Sequence, residues 1–292
     1  MRAALIRAIG HRPLVHLRPL GDRKHDRPGF CSVCGANTTF AFNSWVVPAD
    51  MKSEWSAEGL GDRIVERETM YCRRCFASLR VRRIAEVLLL HYAEDAESAS
   101  ALVDEAGFRE LDVAEINGAG ALHSVLARHP RLRYSEFRKG TQPGAVVGGV
   151  PSEDVCRLTY ADASFNLVLT ADTLEHVPDY ELALRELRRV LRVGGRHIFT
   201  VPAVPTRQET LRRVRVDESG ELRFSAPAQY HGRGSGLLAL ATPRRHDFLA
   251  YTDFGLDLID RLSAASFRAE VHFYRESAPE SDAALVFCAE AV

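Results

Sequence analysis

Lysine is almost missing from this 292-residue chain: Lys24, Lys52 and Lys139 stand among 38 cationic residues, and the rest are arginine. That bias reads as the mark of a GC-rich coding sequence rather than of a binding surface. With 39 acidic residues the net charge is −1, which excludes a chain that wraps itself in polyanion. Long apolar runs are also missing. The best stretch, Val87-Leu88-Leu89-Leu90, falls far short of the roughly 20 residues of a membrane span. The first twenty residues are apolar only in fragments broken by Arg and His, unlike a secretory signal, so the expected address is the cytoplasm. Six cysteines, 20 glycines and 13 prolines exclude a disulfide miniprotein and a collagen, and 46% hydrophobic residues exclude a wholly disordered chain. The length suits one large domain or two ordinary ones.

What is present is unevenly spread. Residues 1–92 carry 15 Lys and Arg against 9 Asp and Glu, a net of +6, which leaves −7 for the remainder. Residues 1–28, rich in Arg, His and Pro, read as a flexible arm. Residues 29–92 read as a metal module with a linker helix. Cys31-x2-Cys34 and Cys72-x2-Cys75 are two knuckles separated by 37 residues. A pair of Cys two residues apart brings two thiolates to one ion, and a second pair completes a tetrahedral sulfur shell suited to Zn2+. Gly35 follows the first pair, where a turn under the metal needs a permissive backbone. All four positions are thiolates, so the zinc is expected to be structural, and His25 is read as a surface histidine. Phe40, Phe42, Trp45 and Trp55 supply apolar mass. A helix is expected over 79–94, with Arg80, Arg82 and Arg83 on its wetter side. Cys156 and Cys288 are expected in the core.

From residue 93 to 292 the pattern becomes strand, turn, helix, repeated. Strands are expected at 111–116, 132–137, 165–170 and 197–201, and a late pair at 271–274 and 284–288. A helix over 182–191 is expected to end at Gly194-Gly195. Strands alternating with helices imply an α/β, mostly parallel, doubly wound sheet, and the late strand pair suggests an antiparallel edge.

Asn117-Gly118-Ala119-Gly120 lies at a strand-to-helix junction, where backbone passes close to a ligand and helix amides point at it. Glu115 ends that strand, and Glu136 follows 21 residues later, near the offset at which an acid meets a ribose diol. Asp154, beside Val155, falls after a third expected strand, within reach of an adenine edge. Acids at three successive strand ends repel a pyrophosphate but suit a cationic nucleoside, which favours S-adenosyl-L-methionine over a nicotinamide cofactor.

These segments, with the run from Ala163 through Glu175-His176-Val177-Pro178 and Arg189-Val190-Leu191-x-x-Gly194-Gly195, resemble class I S-adenosylmethionine-dependent methyltransferases, and within them the type 11 group. The resemblance covers about 108–292. It implies a Rossmann-like, seven-stranded sheet and cofactor contacts at Glu115, Asn117, Gly118, Gly120, Glu136, Asp154, Val155 and Ala171. By resemblance Glu136 would hold the ribose, Asp154 the adenine edge, and Ala171-Asp172 would flank the methionine part. Asn117 replaces the first glycine of the usual loop, and Asn166 stands where the family commonly has Asp. Tyr134-Ser135-Glu136, Tyr230-His231-Gly232 and Phe254-Gly255-x-Asp257-Leu258 look like a bacterial subgroup associated with glycan or natural-product pathways.

An insertion over 203–250, holding Gly232 to Gly236 and His246, has too little periodicity for regular sheet and reads as a substrate-side loop. His231, His176 and Asp172 are the candidate catalytic residues. The expected function is methylation, at oxygen, of a small molecule, sugar or natural-product intermediate. Two alternatives stand beside it: an RNA or protein methyltransferase that docks through its basic zinc module, and a catalytically silent cofactor-binding scaffold.

Overall fold

The computed structural model describes residues 26–42, 47, 49–57, 61–203, 207–231, 249–273 and 284–292. Most of the expected arm, His25, Trp45, the glycine run 232–236 and His246 lie outside the described residues.

In chain order, β1 (Arg27–Phe30), β2 (Asn37–Ala41), α1 (Ala49–Ala57), α2 (Gly61–Glu68) and β3 (Tyr71–Cys72) precede α3 (Leu79–Tyr92). Then come α4 (Ala99–Leu102), α5 (Ala106–Arg109), β4 (Val113–Ile116), α6 (Ala121–Leu126), β5 (Leu132–Ser135), β6 (Val146–Val147), β7 (Val150–Pro151) and β8 (Phe165–Ala171). A 3-10 turn (Leu174–His176) leads to α7 (Tyr180–Val190) and β9 (Leu191–Thr200). The rest is β10 (Leu211–Arg212), β11 (Val214–Val216), β12 (Leu222–Phe224), β13 (Thr252–Asp253), α8 (Leu258–Ala264), β14 (Phe267–His272) and β15 (Val286–Ala291). No helix among the described residues is long and apolar enough to cross a membrane.

The main sheet has the order β14-β15-β9-β8-β4-β5. β9, β8, β4 and β5 run parallel, and β15 and β14 complete the sheet antiparallel, as the late strand pair suggested. Alternate side chains feed two cores. Ala114, Ile116, Val168 and Phe199 face α7 and α8 through Leu184, Leu187, Leu258 and Leu262. Val113, Leu167, Leu169, Ile198 and Val286 face the other way, onto Ile84 and Leu88 of α3 and onward to Cys31, Phe40 and Cys72. β8 is buried on both faces, which is why it reads as a continuous apolar run. Ser78 caps α3 and Asp179 caps α7, each accepting from the third residue onward.

Four expectations need correction. The seventh strand is missing among the described residues, where the β5 edge carries only a single parallel bridge, Glu136 to Ser152. The preceding chain folds instead as the hairpin β6–β7 around Gly148 and Gly149, both at positive φ, and Pro151 has no N–H to give a ladder. Gly194 does not end a helix. α7 stops at Val190, and Gly194 (φ 78°) sits in a bulge where β9 shifts register against β8. Within the 203–250 insertion, β11 and β12 form a hairpin and β10 pairs with β13. The arginines of α3 do not line a wet face. Arg82 is buried with its guanidinium carbon 3.6 Å above the Phe40 ring, and Arg80 and Arg83 are mostly covered.

His197 on β9 is fully buried, its Nε2 2.9 Å from Thr170 Oγ1 and its ring stacked on Phe199 at 4.3 Å. Burial lowers its pKa to about 3. The unfolded chain takes up that proton near about pH 6.5. Over the window from there down to about 3 the folded chain therefore binds fewer protons, and stability falls as the pH falls. Unfolding titrations between pH 7 and 4 should show this slope, and His197→Gln should flatten it by up to about 1.4 kcal/mol per pH unit.

Candidate active site

The carboxyl ends of β4, β5 and β8 open onto one rim. After β4 the chain turns through Asn117 (φ 60°) and Gly120 (φ 58°) into α6. Asn is among the few non-glycine residues that enter the left-handed region readily, and here its amide is anchored by distant partners: Oδ1 accepts from Phe137 N at 2.8 Å and Nδ2 reaches Thr173 Oγ1 at 3.4 Å. The first glycine of the usual loop is thus replaced by a residue that ties the rim together. Gly118 is required for a different reason, since a Cβ there would meet the Tyr134 hydroxyl at 3.1 Å. Glu115 is fully buried under this loop. It accepts from Ala119 N at 2.8 Å and meets His123 Nδ1 at 2.6 Å. That bond is the main cause that raises the His123 pKa. Glu115 therefore braces the loop from below.

Glu136, one residue past β5, is the rim's accessible acid. Tyr134 donates to Oε1 at 2.6 Å, and Arg138 pairs with Oε2 at 2.8 Å with both side chains more than a third exposed. Such an exposed pair is weak and can yield to a competing donor. Asp154 is partly buried and caps its own turn, accepting from Cys156 N at 2.9 Å, with Val155 buried beside it.

β8 ends at Ala171, and Asp172 follows in the left-handed region (φ 47°). Arg67, at the end of α2 and only 1% exposed, donates to both Asp172 oxygens, from Nη1 to Oδ2 at 2.8 Å and from Nη2 to Oδ1 at 2.5 Å. Arg80 Nε lies 3.2 Å from Asp172 Oδ2, Thr200 donates to Oδ1 at 2.8 Å, and Glu68 pairs with both arginines. Burial alone would raise the Asp172 pKa, but the two guanidinium groups hold it well below the usual carboxylate range. Asp172 is consequently a clamp for the strand end and a poor proton acceptor.

The turn after β8 carries Glu175 and His176, and the insertion returns His231 to them. The two rings stand 4.9 Å apart, and Glu175 Oε1 lies 3.7 Å from His176 Nε2 and 3.8 Å from His231 Nδ1. Burial lowers the His176 pKa against the opposing pull of Glu175. Tyr230 pairs its backbone with Leu249, which closes this part of the insertion.

At the knuckles Gly35 (φ 71°) and Phe76 (φ 64°) occupy equivalent places. Their N–H groups donate to Cys31 and Cys72 carbonyls at 2.8 Å each. The Sγ atoms of Cys31 and Cys75, and of Cys34 and Cys72, are 3.7 Å apart, and all four sulfurs fall within 4.8 Å of one another. A tetrahedral ion with bonds of about 2.3 Å needs sulfur edges of about 3.8 Å, so the thiols fit zinc.

Sequence reasoning missed Arg67, Arg80, Glu68 and the role of Glu175 as the centre of a cluster. Nothing in their spacing points to one another, because the pairing depends on α2 crossing to the end of β8. Arg67→Ala leaves the buried Asp172 with Arg80 and the Thr200 hydroxyl only, and urea unfolding should register a loss of about 3 kcal/mol, the lower end for breaking a buried pair. Arg67→Met combined with Asp172→Asn should recover part of that loss.

A family model described as "Methyltransferase domain" matches residues 132–199, the stretch from β5 through most of β9. The sarcosine/dimethylglycine N-methyltransferase of Halorhodospira halochloris is 54% identical over 82 residues, 28% of this chain and 28% of that protein. The 27-O-demethylrifamycin SV methyltransferase of Amycolatopsis mediterranei is 34% identical over 90 residues, 29% of this chain and 33% of that protein. The chain thus matches about a third or less of the length of these curated relatives. Among solved structures, an S-adenosylmethionine dependent methyltransferase from Mesorhizobium loti aligns over 62% of this chain and 90% of its own, with 16% identity and a TM-score of 0.38.

Proposed function

We propose that the chain is an S-adenosylmethionine-dependent methyltransferase that methylates an oxygen of a small molecule, sugar or natural-product intermediate. The observation that carries this reading is the partly exposed Glu136 carboxylate, oriented by Tyr134 at the end of β5 beside the Asn117–Gly120 loop, with only a weak surface pair to Arg138 to displace. An acceptor-only group in that place suits a ribose diol, and a rim of carboxylates suits a cationic sulfonium nucleoside. The family match over 132–199 supports the reading, as do two relatives named for small molecules, one acting at nitrogen and one on a rifamycin.

In this arrangement Glu136 holds the ribose, Asp154 and Val155 the adenine edge, and Asn117, Gly118 and Gly120 shape the floor under the nucleoside. Glu115 acts through the loop. Ala171 flanks the methionine part, with Asp172 fixed behind it. The bound cofactor supplies a methyl group already activated for in-line displacement, so the chain's main task is orientation, worth roughly 7–11 kcal/mol of barrier. Activation of a hydroxyl acceptor falls to the Glu175, His176 and His231 cluster. The four thiols hold a structural zinc.

The docking alternative finds less support. Arg67, Arg80 and Arg82 are turned inward, and Arg27, Arg63 and Arg73 pair with Glu66, Glu66 and Asp26, so much of the module's positive charge is taken up within the fold.

Incubation with methyl-labelled cofactor and fractionated cell extract should place label in the small-molecule or glycan fraction, and label found only in RNA or protein would overturn the acceptor class. Glu136→Ala should weaken cofactor binding at least about tenfold by calorimetry, since a hydrogen bond to a charged group contributes about 1.5–3 kcal/mol. Cys72→Ser should release the sulfur-bound equivalent of zinc, read by elemental analysis, and lower the melting temperature.

A further inference from the structure

Beyond the end of β8, acceptor atoms of three side chains converge from two separate stretches of chain. Glu175 is 1% exposed, and neither of its carboxylate oxygens has a hydrogen-bond partner among the described residues. A buried carboxylate whose oxygens make no hydrogen bond is heavily penalised, so the place favours a cationic occupant. His176 has its tautomer set by the backbone. Its Nδ1 lies 3.0 Å from the Leu249 carbonyl oxygen, which can only accept, so Nδ1 carries the proton and Nε2 the lone pair. That Nε2 is the atom 3.7 Å from Glu175 Oε1. His231 directs Nε2 toward Gln229 Oε1 at 3.4 Å, which leaves the lone pair on Nδ1, 3.8 Å from the same Glu175 oxygen. One donor atom from each residue falls within 4.8 Å of the others.

We propose that Glu175, His176 and His231 form a binding site for a divalent first-row transition ion. Two imidazoles and one carboxylate are a donor set for zinc, cobalt or iron rather than for calcium or magnesium, which want oxygen cages. The support of each imidazole from behind, by the Leu249 carbonyl and the Gln229 amide oxygen, is the outer-shell arrangement that metal-bound histidines use to fix their rings. This differs from the knuckle site in every respect that matters chemically. It contains no sulfur, its ligands come from a turn and an insertion, and three protein ligands leave a coordination position for a further lone pair.

The site's use rests on the methyl-transfer reading, although its existence does not. Thr173, two residues before Glu175, touches the Asn117 side chain of the glycine loop, so the cluster lies one loop away from the expected methyl donor. The acceptor class it selects is a compound that presents an oxygen lone pair to the ion, whose hydroxyl proton the ion makes easier to lose.

The test uses the full chain with zinc already in the thiolate site, titrated with cobalt(II) alone. One equivalent of cobalt should be taken up with weak visible bands and without the intense sulfur-to-cobalt charge-transfer band. Glu175→Gln and His231→Ala should each weaken that uptake by at least about a hundredfold, beyond the 10–100-fold typical of losing an outer-shell partner. Melting temperatures check that both variants fold, and Glu175→Gln removes a buried charge and should not lower it. No cobalt uptake by the zinc-loaded wild type, or uptake indifferent to Glu175→Gln, overturns the proposal. Cobalt bound as described with no methyl transfer to any acceptor upholds the site while removing the enzymatic reading. Methyl transfer with no cobalt uptake does the reverse.

Discussion

Two guanidinium groups under the end of β8 set the geometry of the whole rim. Asp172 leaves the strand in a backbone conformation that a non-glycine residue adopts at a cost, and Arg67, Arg80 and Thr200 hold it there. From that fixed point the chain enters the turn that carries Glu175 and His176, and Thr173 reaches across to Asn117. Asn117 in turn holds Phe137, next to Glu136. A single run of contacts therefore links the ends of β8, β4 and β5. If the arginines were withdrawn, the buried carboxylate would have to be solvated or protonated, and either change would move the strand end.

The clamp also explains why the knuckle region and the sheet belong together. α2 and α3, which supply Arg67 and Arg80, come from the stretch that surrounds the four cysteines, and the same apolar cluster contains Cys31, Cys72, Leu88, Leu167 and Cys288. A helix expected to link two parts is instead one of the layers that cover the sheet. Its arginines are buried because their charge is needed at the rim and over the Phe40 ring.

Much of this was legible in the residues. Period-two and continuous apolar runs gave β8, β15 and the core of β9, and the doubled Cys-x-x-Cys brought together the four sulfurs that the fold does converge. The glycine loop and Glu136 also lie at neighbouring strand ends. What was not legible depends on long-range contact. Glu115 ends a strand, but its bonds to Ala119 and His123 become visible only in the fold. Arg80 and Arg82 looked solvated because helical spacing cannot reveal a partner far along the chain. The expected seventh strand failed for local reasons, since two glycines and a proline at 148–151 favour a tight hairpin over a ladder. The proximity of His231 to His176 needed the insertion to fold back, which no periodicity announces.

One consequence follows from the shared core beneath α3. Because the sulfur knuckles and the underside of the sheet rest on the same side chains, a change of volume at either is passed through one common layer to the other.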